Sequence, residues 1–221
     1  MKTTIKGIEL KKAIDLVKPF VGSLKMKTAP RPILKTALIN NEYVIATDSH
    51  RLIRIKHNQE VTEPYLHHYK AELTQDIAVN GYPDTSRLLP DKYNAKQEFK
   101  VNVSEWIEAH ELGLVAAKEH KNTVIGLKEN QFQVNAVKTF INKKGKEEKQ
   151  PDYNQISYKY TLDHNTNIEK VSYNCEYMLT ALKVFKKLKE KEVTCYFYGP
   201  MRPMYFLSDS VEVLILPVRT Y

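Results

Sequence analysis

Cysteine and glycine are in short supply in this chain of 221 residues, and acids are outnumbered by bases; each fact narrows what it can be. The two cysteines, Cys175 and Cys195, stand in no metal-ligand spacing, so they are expected to be reduced, buried thiols of a cytoplasmic protein. Seven glycines are scattered along the chain, and none builds a phosphate-cradling loop. No apolar run approaches the roughly 18 residues that span a bilayer, so no membrane association is expected. The opening MKTTIKGIELKK has no apolar core of the kind a secretion signal carries. Acids number 26 against 34 lysines and arginines, a net charge of +8 that favours a polyanionic partner, nucleic acid before others.

Catalytic constellations are missing too. His110-Glu111 and His120 lack the i, i+4 pairing of a zinc-binding helix, and the adjacent His67 and His68 diverge on either a helix or a strand. A surface role is expected for these histidines. Asp48 and His50 could do acid–base work, but no nucleophile or second carboxylate is fixed by spacing. The expectation is a binding protein, with no enzymatic activity, no cofactor and no metal.

What is present is a mixed pattern of helical and alternating periodicity. Leu10, Ala13, Ile14, Val17 and Val21 recur at helical spacing. Strands are expected at Thr3–Ile5, from Ile33 to Ile39, at Tyr43–Ala46 with a turn at Asn40-Asn41, and at Leu52–Lys56. Pro64–Lys70 reads as a short helix and Asp76–Val79 as a strand. After a connector over residues 91–100, Ser104 is a plausible N-cap for a helix running to Ala117. Thr123–Leu127 and Gln131–Val134 form a hairpin, Thr139–Ile141 continues that sheet, and Lys143–Gln150 is a solvated tip. Strands at Ile156–Leu162 and Lys170–Tyr173 lead to a helix marked by Met178, Leu179, Leu182 and Phe185. Val193–Phe197, Pro203–Leu207 and Val211–Leu216 close the sheet, and Pro217 breaks it to leave Val218, Arg219 and Tyr221 as a free tail.

Four segments in order, Ala46-Thr-Asp-Ser-His-Arg-Leu52, Gly81-Tyr-Pro-Asp-Thr85, Arg87-Leu-Leu-Pro90 and the apolar C-terminal stretch from Gly199 to Tyr221, carry a resemblance. Together they resemble the bacterial sliding clamp, the beta subunit of DNA polymerase III, in its second and third domains. The resemblance implies an α+β DNA-clamp fold, antiparallel sheets with helices on one face, in two clamp-like domains. Residues 1–95 would form an abbreviated first domain and residues 96–221 a complete C-terminal one. The missing domain suggests a phage or mobile-element version. Unlike the net positive charge here, the family tends to be acidic outside its pore.

The resemblance also implies partners and sites. Short linear motifs of DNA polymerase and other clamp-binding proteins would dock in a pocket formed where two domains converge. Carried over by position, that pocket would use Leu34, Thr47, His50, Arg51, Leu52 and Pro90, with Asn174, Tyr177, Met201, Pro203, Leu214, Leu216, Pro217, Val218 and Arg219. Duplex DNA would be held without sequence preference by helix lysines: Lys11, Lys12, Lys18, Lys25, Lys27, Lys118, Lys121, Lys183 and Lys186. Two domains per chain would close a six-domain ring as a homotrimer. The alternative is a clamp mimic that forms no ring and acts as an adapter or decoy for clamp-binding proteins.

Overall fold

The structure, a computed structural model, describes residues 7–23, 31–70, 79–116, 124–134, 137–141, 147–151, 158–162 and 168–218. The strand expected at Thr3–Ile5, most of that expected at Asp76–Val79, and the Lys143–Lys146 part of the solvated tip lie outside these residues. The chain divides into two compact units: Met1–Ala95 with Thr194–Tyr196 and Met204–Ile215, and Lys96–Val193 with Phe197–Pro203 and Leu216–Tyr221.

In chain order the elements begin with α1 (Leu10–Val17), β1 (Thr36–Ile39), β2 (Tyr43–Thr47), β3 (Arg51–Lys56) and β4 (Tyr65–His68). Then come β5 (Gln97–Asn102), α2 (Val103–Ala116), β6 (Val124–Glu129), β7 (Gln131–Val134), β8 (Val137–Ile141) and β9 (Glu147–Pro151). The last are β10 (Tyr158–Thr161), β11 (Ile168–Asn174), α3 (Cys175–Lys187), β12 (Glu192–Phe197), β13 (Met204–Leu207) and β14 (Val211–Ile215).

The first unit is an antiparallel sheet in the order β4-β1-β2-β3-β14-β13-β12, with α1 packed on β2 and β3. Side chains alternate across a pleated strand, so the registers sort the residues into two faces. Ala37, Ile39, Val44, Ala46, Ile53, Ile55, Val211, Val213 and Ile215 share one face and are fully buried with Ala13, Val17 and Phe20. The other face carries Ile45, Thr47, Leu52, Arg54, Glu212 and Leu214. Chain reversal between β1 and β2 rests on Asn40, whose Oδ1 accepts from the amides of Glu42 (2.9 Å) and Tyr43 (2.7 Å). Before α1, Ile8 bridges to His57, and a Cβ on Gly7 would stand 2.5 Å from the His57 carbonyl oxygen, so only glycine fits there.

Two sequence expectations fail in this unit. Residues 32–35 form a 3-10 turn rather than the start of β1, because Pro32 occupies its first position and presets the turn. Pro64–Lys70 holds a strand, not a helix: β4 pairs antiparallel with β1, and the Tyr69 hydroxyl donates to the Ile14 carbonyl of α1 at 2.7 Å. Edge pairing, invisible to local periodicity, decides that segment.

The second unit has a sheet in the order β10-β7-β6-β11 and the hairpin β8–β9. Thr139–Ile141 therefore does not continue the larger sheet; its backbone groups pair with β9. Helix α2 lies against β7 and β10, α3 lies against β11, and the two helices pack on each other. Asn102, not Ser104, caps α2, its Oδ1 accepting from the amides of Ser104 and Glu105 at 3.1 Å each. Asn174 caps α3 through the Tyr177 amide at 3.1 Å. Cys175 and Cys195 are buried free thiols; burial raises the Cys175 thiol to about 12 and Cys195 higher than usual. Val218 is not a free tail: its amide donates to the Ser172 carbonyl at 2.7 Å, and Pro217 bridges to Tyr173.

Candidate functional site

The registers of the first unit set Thr47, Leu52, Leu214 and Tyr205 in one row across four strands, on the face opposite α1. Thr47 is 6% exposed, Leu52 3% and Leu214 4%. The row thus unites three residues that the sequence singled out from distant segments. Tyr205 extends it and stacks on Tyr196 at 5.8 Å, with the Lys92 ammonium 6.0 Å from the Tyr196 ring. In the next row, Arg54 lies over the Tyr43 ring at 3.9 Å and faces Glu212 at 3.7 Å. The Tyr43 hydroxyl donates to Glu212 at 3.4 Å, and burial followed by that carboxylate pushes its pKa up.

The tip between β2 and β3 presents His50 to solvent and holds Ser49 at φ 75°, in the left-handed region. Arg51 lies on the α1 face, away from Leu52, and is committed to Asp48, Pro19 and Phe20. Leu34 is buried in the 3-10 turn, and its carbonyl accepts from the Gly22 amide at 2.7 Å.

Pro90 is half-buried and follows a turn organised by Asp84. Asp84 accepts from the Ser86 hydroxyl at 2.5 Å and amide at 3.1 Å, and pairs with Arg87 at 2.9 Å. These bonds, the Ser86 hydroxyl first, hold the Asp84 carboxyl below its usual range. Arg87 remains 85% exposed beyond this pairing and Leu88 53% exposed, so both can contact a ligand. The Asp-x-Ser-Arg spacing was the available signal for them.

On the second unit, Asn174 is 7% exposed and occupied as the α3 cap, and Tyr177 is half-buried on the first turn of that helix. Met201 (57% exposed), Leu216 (40%) and Val218 (37%) offer apolar surface, and Pro203 and Pro217 are half-buried. Arg219 lies outside the described residues.

Among the lysines, Lys11, Lys12 and Lys18 are exposed on and just after α1. Lys186 is exposed on α3, while Lys183 is engaged with Glu111 of α2 at 2.9 Å, which holds the Glu111 carboxyl below its usual range. Lys25, Lys27, Lys118 and Lys121 lie outside the described residues. Helix α2 itself has no basic side chain other than His110; its charged groups are Glu105, Glu108 and Glu111.

Histidines fall out differently from expectation. His110 is no surface residue: it is fully buried among Trp106, Phe132 and Tyr173, and burial lowers its pKa to about 4. His67 and His68 are half-buried on β4, where alternation sends them to opposite faces. No metal-holding cluster of His, Cys, Asp or Glu occurs among the described residues.

Comparison with known proteins bears on this arrangement. The beta subunit of DNA polymerase from Streptococcus pyogenes superposes on 95% of the chain with a TM-score of 0.69 at 20% identity. In sequence, the Beta sliding clamp of Staphylococcus aureus is 33% identical over 147 residues, 63% of this chain. The chain is a relative of the bacterial sliding clamp. That S. aureus match spans 34% of the relative's length, and the S. pyogenes superposition covers 63% of the solved clamp. A Helicobacter pylori beta clamp bound to a DNA ligase peptide superposes with a TM-score of 0.66 at 14% identity, over 95% of this chain and 63% of that clamp. No model of a protein family matches the chain. The clamp fold accounts for the antiparallel sheets with helices packed on them.

Proposed function

We propose that this sliding-clamp relative is a non-enzymatic recruitment and processivity factor of DNA replication, working in the cytoplasm. It holds clamp-binding linear motifs through apolar side chains and duplex DNA, without sequence preference, through helix lysines. Residues 1–95 serve as an abbreviated clamp domain and residues 96–221 as a complete one, and three chains close a ring.

The observation that supports the peptide role best is the Thr47–Leu52–Leu214 row in the first unit, built from segments that match the clamp pattern. Leu34, Pro90 and the exposed His50, Arg87 and Leu88 belong to the same unit and extend the candidate contacts. In the second unit, Met201, Leu216 and Val218 expose apolar side chains, and the Val218 amide is pinned to the Ser172 carbonyl, an arrangement suited to anchoring a leucine or phenylalanine. Met201 adds an adaptable thioether. No described helix is long and apolar enough to cross a membrane, which is compatible with work on DNA.

A fluorescein-labelled DNA ligase peptide, of the kind the H. pylori clamp binds, tests the reading by anisotropy. Saturable binding that is lost with Met201→Ala and Leu216→Ala together is the expected result. Binding that these substitutions leave intact would remove the assignment.

A further inference from the structure

The tip joining β2 to β3 is organised by one carboxylate. Asp48 Oδ1 accepts from the amides of His50 (3.0 Å) and Arg51 (3.1 Å), and its Oδ2 accepts from Arg51 Nε at 2.9 Å. On the other side of the tip, the Thr47 hydroxyl donates to the Arg51 carbonyl at 2.7 Å and accepts from the Ser49 amide at 3.2 Å. This bracing keeps Ser49 in its left-handed conformation, which a non-glycine residue adopts only at a cost.

Arg51 ties that tip to a different element. Its Nη2 donates to the Pro19 carbonyl at 2.6 Å, within the 3-10 turn that continues α1. The same guanidinium lies 4.8 Å from the centroid of the fully buried Phe20 ring. Only 10% of the Arg51 side chain and 13% of the Asp48 side chain is exposed. Pleating also sends Arg51 to the α1 face while Leu52, its neighbour, joins Thr47 and Leu214 on the opposite one.

We infer that Arg51 is a positioning residue, not the cation that greets a bound peptide: through Asp48 it clamps the tip to the end of α1 and thereby holds His50 in place. The inference rests on the peptide-binding reading given above, and it assigns the direct polar contact at this tip to His50. The planar fork is essential, because a carboxylate, a carbonyl and a ring are engaged by one group in three directions. A lysine keeps the charge but cannot make these contacts together.

Two readouts test this. Amide hydrogen exchange at Ser49, His50 and Arg51 is measured by NMR in the wild type, Asp48→Asn, Arg51→Lys and the double variant. Each single variant is expected to speed exchange and to weaken the ligase peptide about tenfold, the scale of one charge-assisted hydrogen bond, and the double variant to be no worse than either single. Arg51→Lys with unchanged exchange and unchanged affinity would overturn the inference. So would additive losses in the double variant, which mark Arg51 as an independent ligand. A wild type that fails to bind the peptide while the exchange rates couple as expected would sink the peptide reading and leave the clamp on the tip supported.

Discussion

His110 Nε2 lies 3.1 Å from the hydroxyl of Tyr173, which is 63 residues away in sequence, and the two rings stack at 5.7 Å. The other ring nitrogen, Nδ1, lies 2.5 Å from the Trp106 carbonyl. A carbonyl only accepts, so Nδ1 carries the proton and Nε2 accepts from the tyrosine hydroxyl. A second proton would put a charge on a ring that is fully shielded from solvent. Burial is the main cause of the low pKa, and the Trp106 bond opposes it only in part.

The pH consequence has a definite sign. The unfolded chain takes up a proton near the ordinary value of 6.5, whereas the folded chain resists until about 4. Stability is therefore fully present above pH 6.5 and falls between there and pH 4, by about 3 kcal/mol for a shift of this size. His110→Gln, neutral at every pH, should lack this contribution. Urea midpoints measured from pH 8 down to 4.5 should show the wild type losing ground on the variant. Parallel curves would refute the assignment.

Burial also separates two leucines that the sequence treats alike. Leu52 is 3% exposed and Leu216 is 40% exposed. Leu52→Ala removes core packing and is expected to cost about 2–4 kcal/mol in denaturant titrations. Leu216→Ala should stay within about 0.5 kcal/mol of wild type in stability, as surface substitutions do. Peptide binding, measured alongside, should fall for Leu216→Ala in a protein that remains folded. Loss of stability in Leu216→Ala equal to that of Leu52→Ala would contradict the exposure.

Asn174 carries a different prediction, because the structure gives it a structural task. Its side chain accepts from the Tyr177 amide and starts α3, whose buried face includes Met178, Leu182 and Phe185. Asn174→Ala should cost about 1 kcal/mol of stability and Asn174→Ser or Asn174→Asp much less, since either can cap. If all three variants lose the peptide while keeping full stability, the residue is a ligand instead.

What the sequence makes legible follows from which forces are local. Helical recurrence of Leu10, Ala13 and Val17 places α1, and alternation places β3, because in both cases one face is buried against the core. Asn40-Asn41 announces its turn through side-chain bonds made within three residues. The β4 strand is different: Tyr65–His68 is strand only because β1 offers it an edge. The burial of His110 likewise depends on Tyr173 and Phe132 from two other strands, and no pattern within Val103–Ala116 foretells it. At the candidate site, the motif from Ala46 to Leu52 is visible in the chain, but the engagement of Arg51 with the end of α1 is made only by tertiary packing. The ion pair of Lys183 with Glu111 is similarly a product of helix packing.

That pair bears on the proposed DNA contact. Lys11, Lys12 and Lys18 in the first unit face solvent, so reversing all three to Glu should weaken duplex binding and flatten its dependence on salt. At roughly 0.9 per phosphate contact, the slope of log K against log salt should drop by about 2 to 3. Lys183→Ala should do little, because Glu111 already engages that ammonium. Glu111→Gln should free it, strengthen binding and add about one contact to the slope. A loss on Lys183→Ala equal to that of any α1 lysine would show the pair to be open in solution, as half-exposed pairs can be.

Under the proposed function, assembly decides whether DNA is encircled or merely touched. A ring of identical chains needs a head-to-tail interface between unlike surfaces, and such an interface closes only at the rotation the surfaces dictate. If each chain supplies two clamp-like domains of a six-domain ring, as proposed, three copies are needed, which at 25.7 kDa per chain gives a mass of about 77 kDa. Light scattering coupled to size exclusion, run across protein concentrations, should show that species. On a closed circular duplex the trimer should survive a salt wash that strips electrostatic contacts and should come off when the circle is cut. A species that stays at 25.7 kDa at the highest concentration, and leaves circular DNA in the same salt wash, would rule out the ring. The chain would then act as an adapter that brings clamp-binding motifs to DNA by charge alone.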